Sequence, residues 1–172
     1  MKLHRHSIRL KEYDYSQPGA YFVMMATFQR DGLFGQVAND EMQLNEFGTI
    51  AEDCWCVIPE HFSNVGLGAY VVMPNHVHGI IVIYDDCRGT IYRAPTIEQF
   101  GKPIAGSLPT IIRTYKAAVT REIRYKSNVT IIWQRNYYEH VIRNEKEWDR
   151  IHRYIESNPM NWEIDEENLL RT

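Results

Sequence analysis

The sequence is short of cysteine, of long apolar runs and of surplus positive charge, and each shortage excludes something. Its 172 residues include three cysteines, Cys54, Cys56 and Cys87. The number is odd, and Cys54 and Cys56 lie two apart in an apolar stretch where a mutual disulfide is sterically disfavoured. A disulfide framework is therefore excluded, and a reducing, cytoplasmic setting is expected. No segment approaches the roughly 18 uninterrupted apolar residues of a membrane span, and the first twenty residues lack a signal-peptide core, so neither secretion nor a membrane partner is expected. A glycine-rich loop of the kind that cradles nucleotide phosphates is also missing. Nineteen Lys and Arg against 22 Asp and Glu give a formal charge of −3, which excludes a protein that coats nucleic acid through bulk charge alone.

What is present reads as one globular domain over 1–172, with 44% hydrophobic and 24% charged residues and enough chain to bury roughly 70% of its unfolded surface. The charge is unevenly spread. Lys2, Arg5, Arg9 and Lys11 make a basic arm within 1–14, and Glu163, Asp165, Glu166 and Glu167 begin an acidic tail, 163–172, that masks the arm in the total. A local basic surface still acts within a Debye length of roughly 10 Å at 0.1 M salt.

Apolar residues 20–28, the turn signal Arg30-Asp31-Gly32 and apolar residues 33–37 predict a β-hairpin. Leu44, Phe47, Ala51, Cys54 and Ile58 recur at helical spacing and predict a helix that ends near Pro59, with Cys54 in the core. Residues 69–73 and 76–84, joined by Pro74-Asn75, predict a second hairpin, and the apolar run 80–83 predicts a central strand covered on both faces. Residues 85–106 read as a long surface loop.

A helix over about 108–126 follows, with Ser107 at its N-cap and Pro109 in its first turn. Leu108, Ile111, Ile112, Tyr115, Val119 and Ile123 share its buried face. Arg113, Lys116, Arg121 and Arg124 spread over the opposite one, a candidate phosphate-contacting surface. Residues 129–134 read as a strand. Asn144 and Glu147 have capping-box spacing and open a last helix with Trp148, Ile151 and Ile155 as its stripe and Pro159 beyond its end. Hairpins packed under helices give an α+β fold.

Two constellations carry chemistry. His76 and His78 are two apart at the start of a strand, so both rings project to one side about 7 Å apart and can share a divalent cation. Flanked by apolar segments, they would cost about 1–3 kcal/mol each if buried without partners. Tyr154 and Asn158, four apart, lie on one face of the last helix.

Taken together, YVVMPNHVHGIIVI, then WQRNYYEHVIR and RYIESNPMNW resemble the single-tyrosine HUH transposases, and within them the branch associated with repetitive extragenic palindromes (REP). The resemblance runs over about residues 15–162, and its most specific parts are Met-Pro-Asn-His-x-His and Tyr-Ile-x-x-Asn-Pro. It implies a ferredoxin-like or RRM-like antiparallel sheet of four to five strands against helices, and metal-dependent nicking and rejoining of DNA. By that likeness His76 and His78 are metal ligands, Tyr154 is the nucleophile, and Asn158 stands where relatives place a third ligand, often Gln in the insertion-sequence branch. The cofactor implied is Mg²⁺ or Mn²⁺.

The partner implied is single-stranded hairpin DNA, REP-like and palindromic. It would be gripped by the arm, through Arg5 and Arg9, and by the helix bearing Arg113, Lys116, Arg121 and Arg124, with the protein acting as a monomer or a homodimer. Tyr92, Arg93 and Phe100 are candidates for base stacking, and His140 and His152 for proton transfer. Tyr137 and Tyr138 compete with Tyr154 but lack an amide four residues on. The alternative function is a hairpin-binding protein that has lost catalysis.

Overall fold

A computed structural model describes residues 13–85 and 104–165. Four strands, β1 (Gly19–Ala26), β4 (Val65–Met73), β5 (His76–Ile83) and β6 (Tyr138–Ile142), form an antiparallel sheet in the order β4-β5-β1-β6. A separate two-stranded sheet pairs β2 (Gly35–Ala38) with β3 (Glu41–Leu44). Helix α1 (Glu46–Cys56), with the short α2 (Ile58–His61) after it, connects into β4. Helix α3 (Leu108–Lys126) lies between β5 and β6, and α4 (Glu145–Glu156) follows β6. Within the main sheet this is a β-α-β-β-α-β path with β1 and β5 central, the ferredoxin-like arrangement of an α+β fold.

The predicted first hairpin is wrong. β1 has β5 on one edge and β6 on the other, so no edge remains for residues 33–37. After Ala26 the chain leaves the sheet instead. Thr27 N–H donates to Asn75 O (2.8 Å), and Gln29 and Arg30 take left-handed φ values of 55° and 59°. The hairpin turn that does form is Asn39-Asp40, both left-handed (φ 53° and 62°), the residue types a two-residue turn of this hand selects.

The strand predicted at 129–134 is reduced to a single bridge between Thr27 and Trp133, and the edge strand is 138–142. Bridging there is confined to the Trp133 end because the segment is held from the side. Lys116 Nζ donates to Gln134 O (2.7 Å), and Trp133 Nε1–H donates to Lys116 O (3.2 Å). The second hairpin and the two long helices form as predicted. Of the predicted loop, only residues 85 and 104–106 lie within the described part of the chain.

The sheet has two unlike faces. Tyr21, Val23, Val77 and Ile81 point toward α1 and α3 and join Trp55, Phe34, Tyr115, Val119 and Ile123 in the main core. Trp55 is the fully buried anchor of α1, and Cys54 beside it is half-buried, contrary to the spacing argument that placed it in the core. The indole of Trp55 packs against Gly79, where a Cβ would come within 2.2 Å of the ring, so β5 needs glycine at this point. The other face carries Phe22, Ile80 and Ile142 under Ile151 and Ile155 of α4. His76 and His78 alternate with Val77 and Gly79 and so lie on this second, thinner face.

Candidate metal and tyrosine centre

The site sits at the end of the sheet where β5 begins. The Pro74-Asn75 turn is pinned on three sides. Thr27 N–H and Oγ1–H both donate to Asn75 O (2.8 and 3.0 Å), and Asn75 Nδ2 donates to Arg30 O (3.2 Å). With its amide N–H groups turned to Arg30, Asn75 presents Oδ1 to His76 Nδ1 at 2.8 Å. An amide oxygen only accepts, so His76 carries its proton on Nδ1 and its Nε2 lone pair is left facing the interior.

His78 lies with its ring centroid 4.4 Å from that of His76 and stacks on Phe22 (5.4 Å). Both rings are buried. Burial lowers His76 to about 4; Asp165 and Asn158 oppose this, and Arg30 adds to it. His78 is pushed well below its ordinary value by burial and then by the adjacent His76. At neutral pH both imidazoles are uncharged, the state in which they donate a lone pair.

Helix α4 brings Tyr154 and Asn158 over this pair. Asn144 caps it by accepting from Glu147 N–H (2.9 Å), and the Glu147 carboxylate takes Arg143 N–H (2.8 Å) and His140 Nε2 (2.6 Å), fastening the helix start to β6. Ile151 and Ile155 then seat the helix on the sheet. The Tyr154 hydroxyl comes to 3.5 Å from His78 Nε2, with the ring edge-on to Phe22 at 6.2 Å, while the residue stays 45% exposed. A half-exposed tyrosine differs here from a core tyrosine such as Tyr115, which is buried.

Asn158, one turn on, is 2% exposed and donates from Nδ2 to Asp165 Oδ2 (3.2 Å). Trp162 covers His76 at 6.0 Å between ring centroids. Three buried atoms gathered here, His76 Nε2, His78 Nδ1 and Asn158 Oδ1, have no hydrogen-bond partner among the described residues. Left in that state they cost about 1–3 kcal/mol apiece. Two neutral imidazole nitrogens and an amide oxygen are a donor set that suits a divalent cation. Among the described residues no group of three His, Cys, Asp or Glu side chains is placed to hold a metal ion, so an ion here would depend on the Asn158 oxygen as its third protein donor.

The fold thus gathers His76, His78, Tyr154 and Asn158, and it puts the other sequence candidates elsewhere. Arg113, Lys116, Arg121 and Arg124 belong to α3, in the layer on the opposite side of the sheet. Arg113 and Arg121 are exposed. Lys116 is turned inward, its Nζ bonded to Gln134 O and set 5.7 Å over the Trp133 ring, and Arg124 donates to Thr130 O. Burial lowers Lys116 to about 8. His140 is committed to Glu147, and His152 pairs with Glu156 along the exposed side of α4. Tyr138 packs edge-on against Phe22. Arg5, Arg9, Tyr92, Arg93 and Phe100 lie outside the described residues. Sequence reasoning missed Asn75 and Asp165. The first was visible as half of a turn signal and as the Asn of the Met-Pro-Asn-His-x-His motif, but with no role assigned to it; the second carried no signal beyond being acidic.

No family model matches the chain. Among solved structures, a REP-associated tyrosine transposase bound to a REP hairpin superposes with a TM-score of 0.61 at 18% identity, over 94% of this chain and 74% of that one, a likeness of fold. No helix among the described residues is long and apolar enough to cross a membrane. An uncharacterized protein of Haemophilus influenzae is 42% identical over 168 residues, covering 95% of this chain and 92% of its own length. At that identity and coverage, the chain belongs to the same family as the Haemophilus influenzae protein.

Proposed function

We propose that the protein is a metal-dependent single-strand DNA endonuclease and transposase that nicks and rejoins DNA near hairpins through Tyr154. The observation that carries this reading is the approach of the Tyr154 hydroxyl to His78 Nε2, 3.5 Å, across 76 residues of sequence. A half-exposed tyrosine hydroxyl beside two neutral, buried imidazoles is the arrangement this reading asks of a nucleophile. The fold it shares with a REP-associated transposase is further support.

His76, His78 and Asn158 are the residues that would hold the cation, Mg²⁺ or Mn²⁺. Bound there, it would neutralise charge building on the scissile phosphate and orient it for in-line attack. His78 has two nitrogens and one proton. When Nδ1 gives its lone pair away, Nε2 carries the proton and donates to the Tyr154 oxygen, which favours the phenolate over a phenol whose ordinary pKa is near 10. The phenol's proton passes to water, and the phenolate oxygen bonds to phosphorus as the bond to the 3′ oxygen breaks. That oxygen leaves, takes a proton from water and ends as a 3′-hydroxyl, while the 5′ end stays on Tyr154 as a phosphotyrosine. The covalent link keeps the phosphodiester's energy, so rejoining needs no nucleotide.

Arg30, whose charge is felt at His76, adds positive potential at this end of the sheet. We assign Arg113 and Arg121 to phosphates away from the cleavage point, because α3 lies in the layer opposite Tyr154.

The test is incubation of the protein with labelled single-stranded hairpin oligonucleotides from the flanks of its own gene, in Mn²⁺ or Mg²⁺. The expected result is a denaturation-resistant protein–DNA adduct that vanishes in Tyr154→Phe and falls sharply in His76→Ala. An adduct that persists in Tyr154→Phe would overturn the nucleophile assignment. Tight hairpin binding with no adduct would favour a DNA-binding protein that has lost catalysis.

A further inference from the structure

Resting on the metal reading above, we propose that Asp165 is a positioning residue: it holds the Asn158 side chain so that Oδ1, not the NH₂ group, faces the histidine pair.

An asparagine amide can sit either way round in a pocket of given shape, and only one orientation offers a metal an oxygen. An ionised carboxylate accepts hydrogen bonds and donates none. With Asp165 Oδ2 at 3.2 Å, the Asn158 NH₂ group must face it; the reversed amide would set two oxygens against each other. Oδ1 is thereby directed away from Asp165, and it is one of the three buried atoms at the site without a partner.

The path of the chain makes this contact. Asn158 sits just past the end of α4, where its N–H still bonds to Ile155 O. The short 3-10 turn Trp162–Ile164 then folds the chain back, laying Trp162 over His76 and returning Asp165 to Asn158 seven residues on. Asp165 works through the amide and not as a ligand, since no three His, Cys, Asp or Glu side chains among the described residues are placed to share an ion.

The experiment is Mn²⁺ titration of the full chain without DNA, with free ion followed by its electron paramagnetic resonance signal and folding checked by circular dichroism. Asp165→Ala should weaken Mn²⁺ binding about tenfold or more, the scale of outer-shell partners of metal ligands. Asp165→Asn should bind within about threefold of wild type, because its own amide oxygen can take the same hydrogen bond. In an Asn158→Ala background, Asp165→Ala should cost nothing further.

Wild-type affinity in Asp165→Ala overturns the proposal. So does a loss of the same size in the Asn158→Ala background, which would mean that Asp165 acts by charge alone. The underlying metal reading fails separately, if the wild-type chain binds Mn²⁺ no better than His76→Ala.

Discussion

Toward α1 and α3 the sheet buries large apolar side chains, with Trp55, Tyr21, Tyr115 and Phe34 among those wholly shielded from solvent. Toward α4 the buried apolar set shrinks to Phe22, Ile80, Ile142, Ile151 and Ile155, and the next positions along β5 are His78 and His76. One face supplies most of the hydrophobic stabilisation, with the Trp55 indole N–H as a polar exception; the other brings together two imidazole nitrogens and an amide oxygen that are buried without partners among the described residues. A site can hold groups that cost stability when a separate, better packed layer maintains the backbone beneath it.

The sharpest break of this contrast is Tyr154→Phe. Adduct formation should fall at least a thousandfold in a gel assay under denaturing conditions, while the melting temperature moves little because only a half-exposed hydroxyl is lost. The converse is Trp55→Ala, expected to cost about 3–5 kcal/mol in urea unfolding because it empties the space between Gly79 and Tyr115.

A third variant, His78→Leu, should abolish the adduct and leave urea stability equal or raised. It exchanges a buried polar ring that has an unpartnered Nδ1 for an apolar side chain beside Phe22. A loss above about 2 kcal/mol would show that the histidine face is structural after all.

Acid tests the same face. Both histidines have folded values below the unfolded value near 6.5, His76 at about 4. The unfolded chain then binds more protons in between, so their contribution is whole above about pH 6.5 and is lost as pH falls toward 4. Chemical unfolding at pH 7, 6, 5 and 4 should show that decline, and His78→Leu should flatten it.

The smallest effects are expected on α3. Lys116→Ala should cost about 1–2 kcal/mol through its carbonyl partners and the Trp133 ring. Arg121→Ala, exposed and paired with its neighbour Glu122, should stay within about 0.5 kcal/mol.

What was legible in the sequence follows from the range of the forces involved. Local periodicity is enough for α3 and α4, and Pro74-Asn75 between two apolar runs is enough for the β4–β5 hairpin. The convergence of His76, His78, Tyr154 and Asn158 was legible only through two motifs taken together, since no local rule brings α4 onto β5.

The first hairpin failed because Arg30-Asp31-Gly32 is a turn signal used to leave a sheet, and edge occupancy on β1 is decided by residues 50 to 122 positions away. The edge strand 138–142 was hidden because its inward residues include Glu139, a charged side chain at a buried position. Asp165 was hidden because a carboxylate that orients an amide has no spacing rule at all.

The β4–β5 turn has a further consequence, for insertions and deletions. Side chains alternate along β5, so the register that pairs His76 with Met73 and Ala26 decides which layer receives the imidazoles. A turn residue added or removed so that β5 slides by one place against its partners would carry both histidines into the Trp55 layer and leave Tyr154 facing valine. A slide of two would restore the parity, though not the anchorage of Asn75. The geometry of the candidate site is therefore counted out in whole residues, and a family built on it should tolerate changes of composition in this hairpin far better than changes of length.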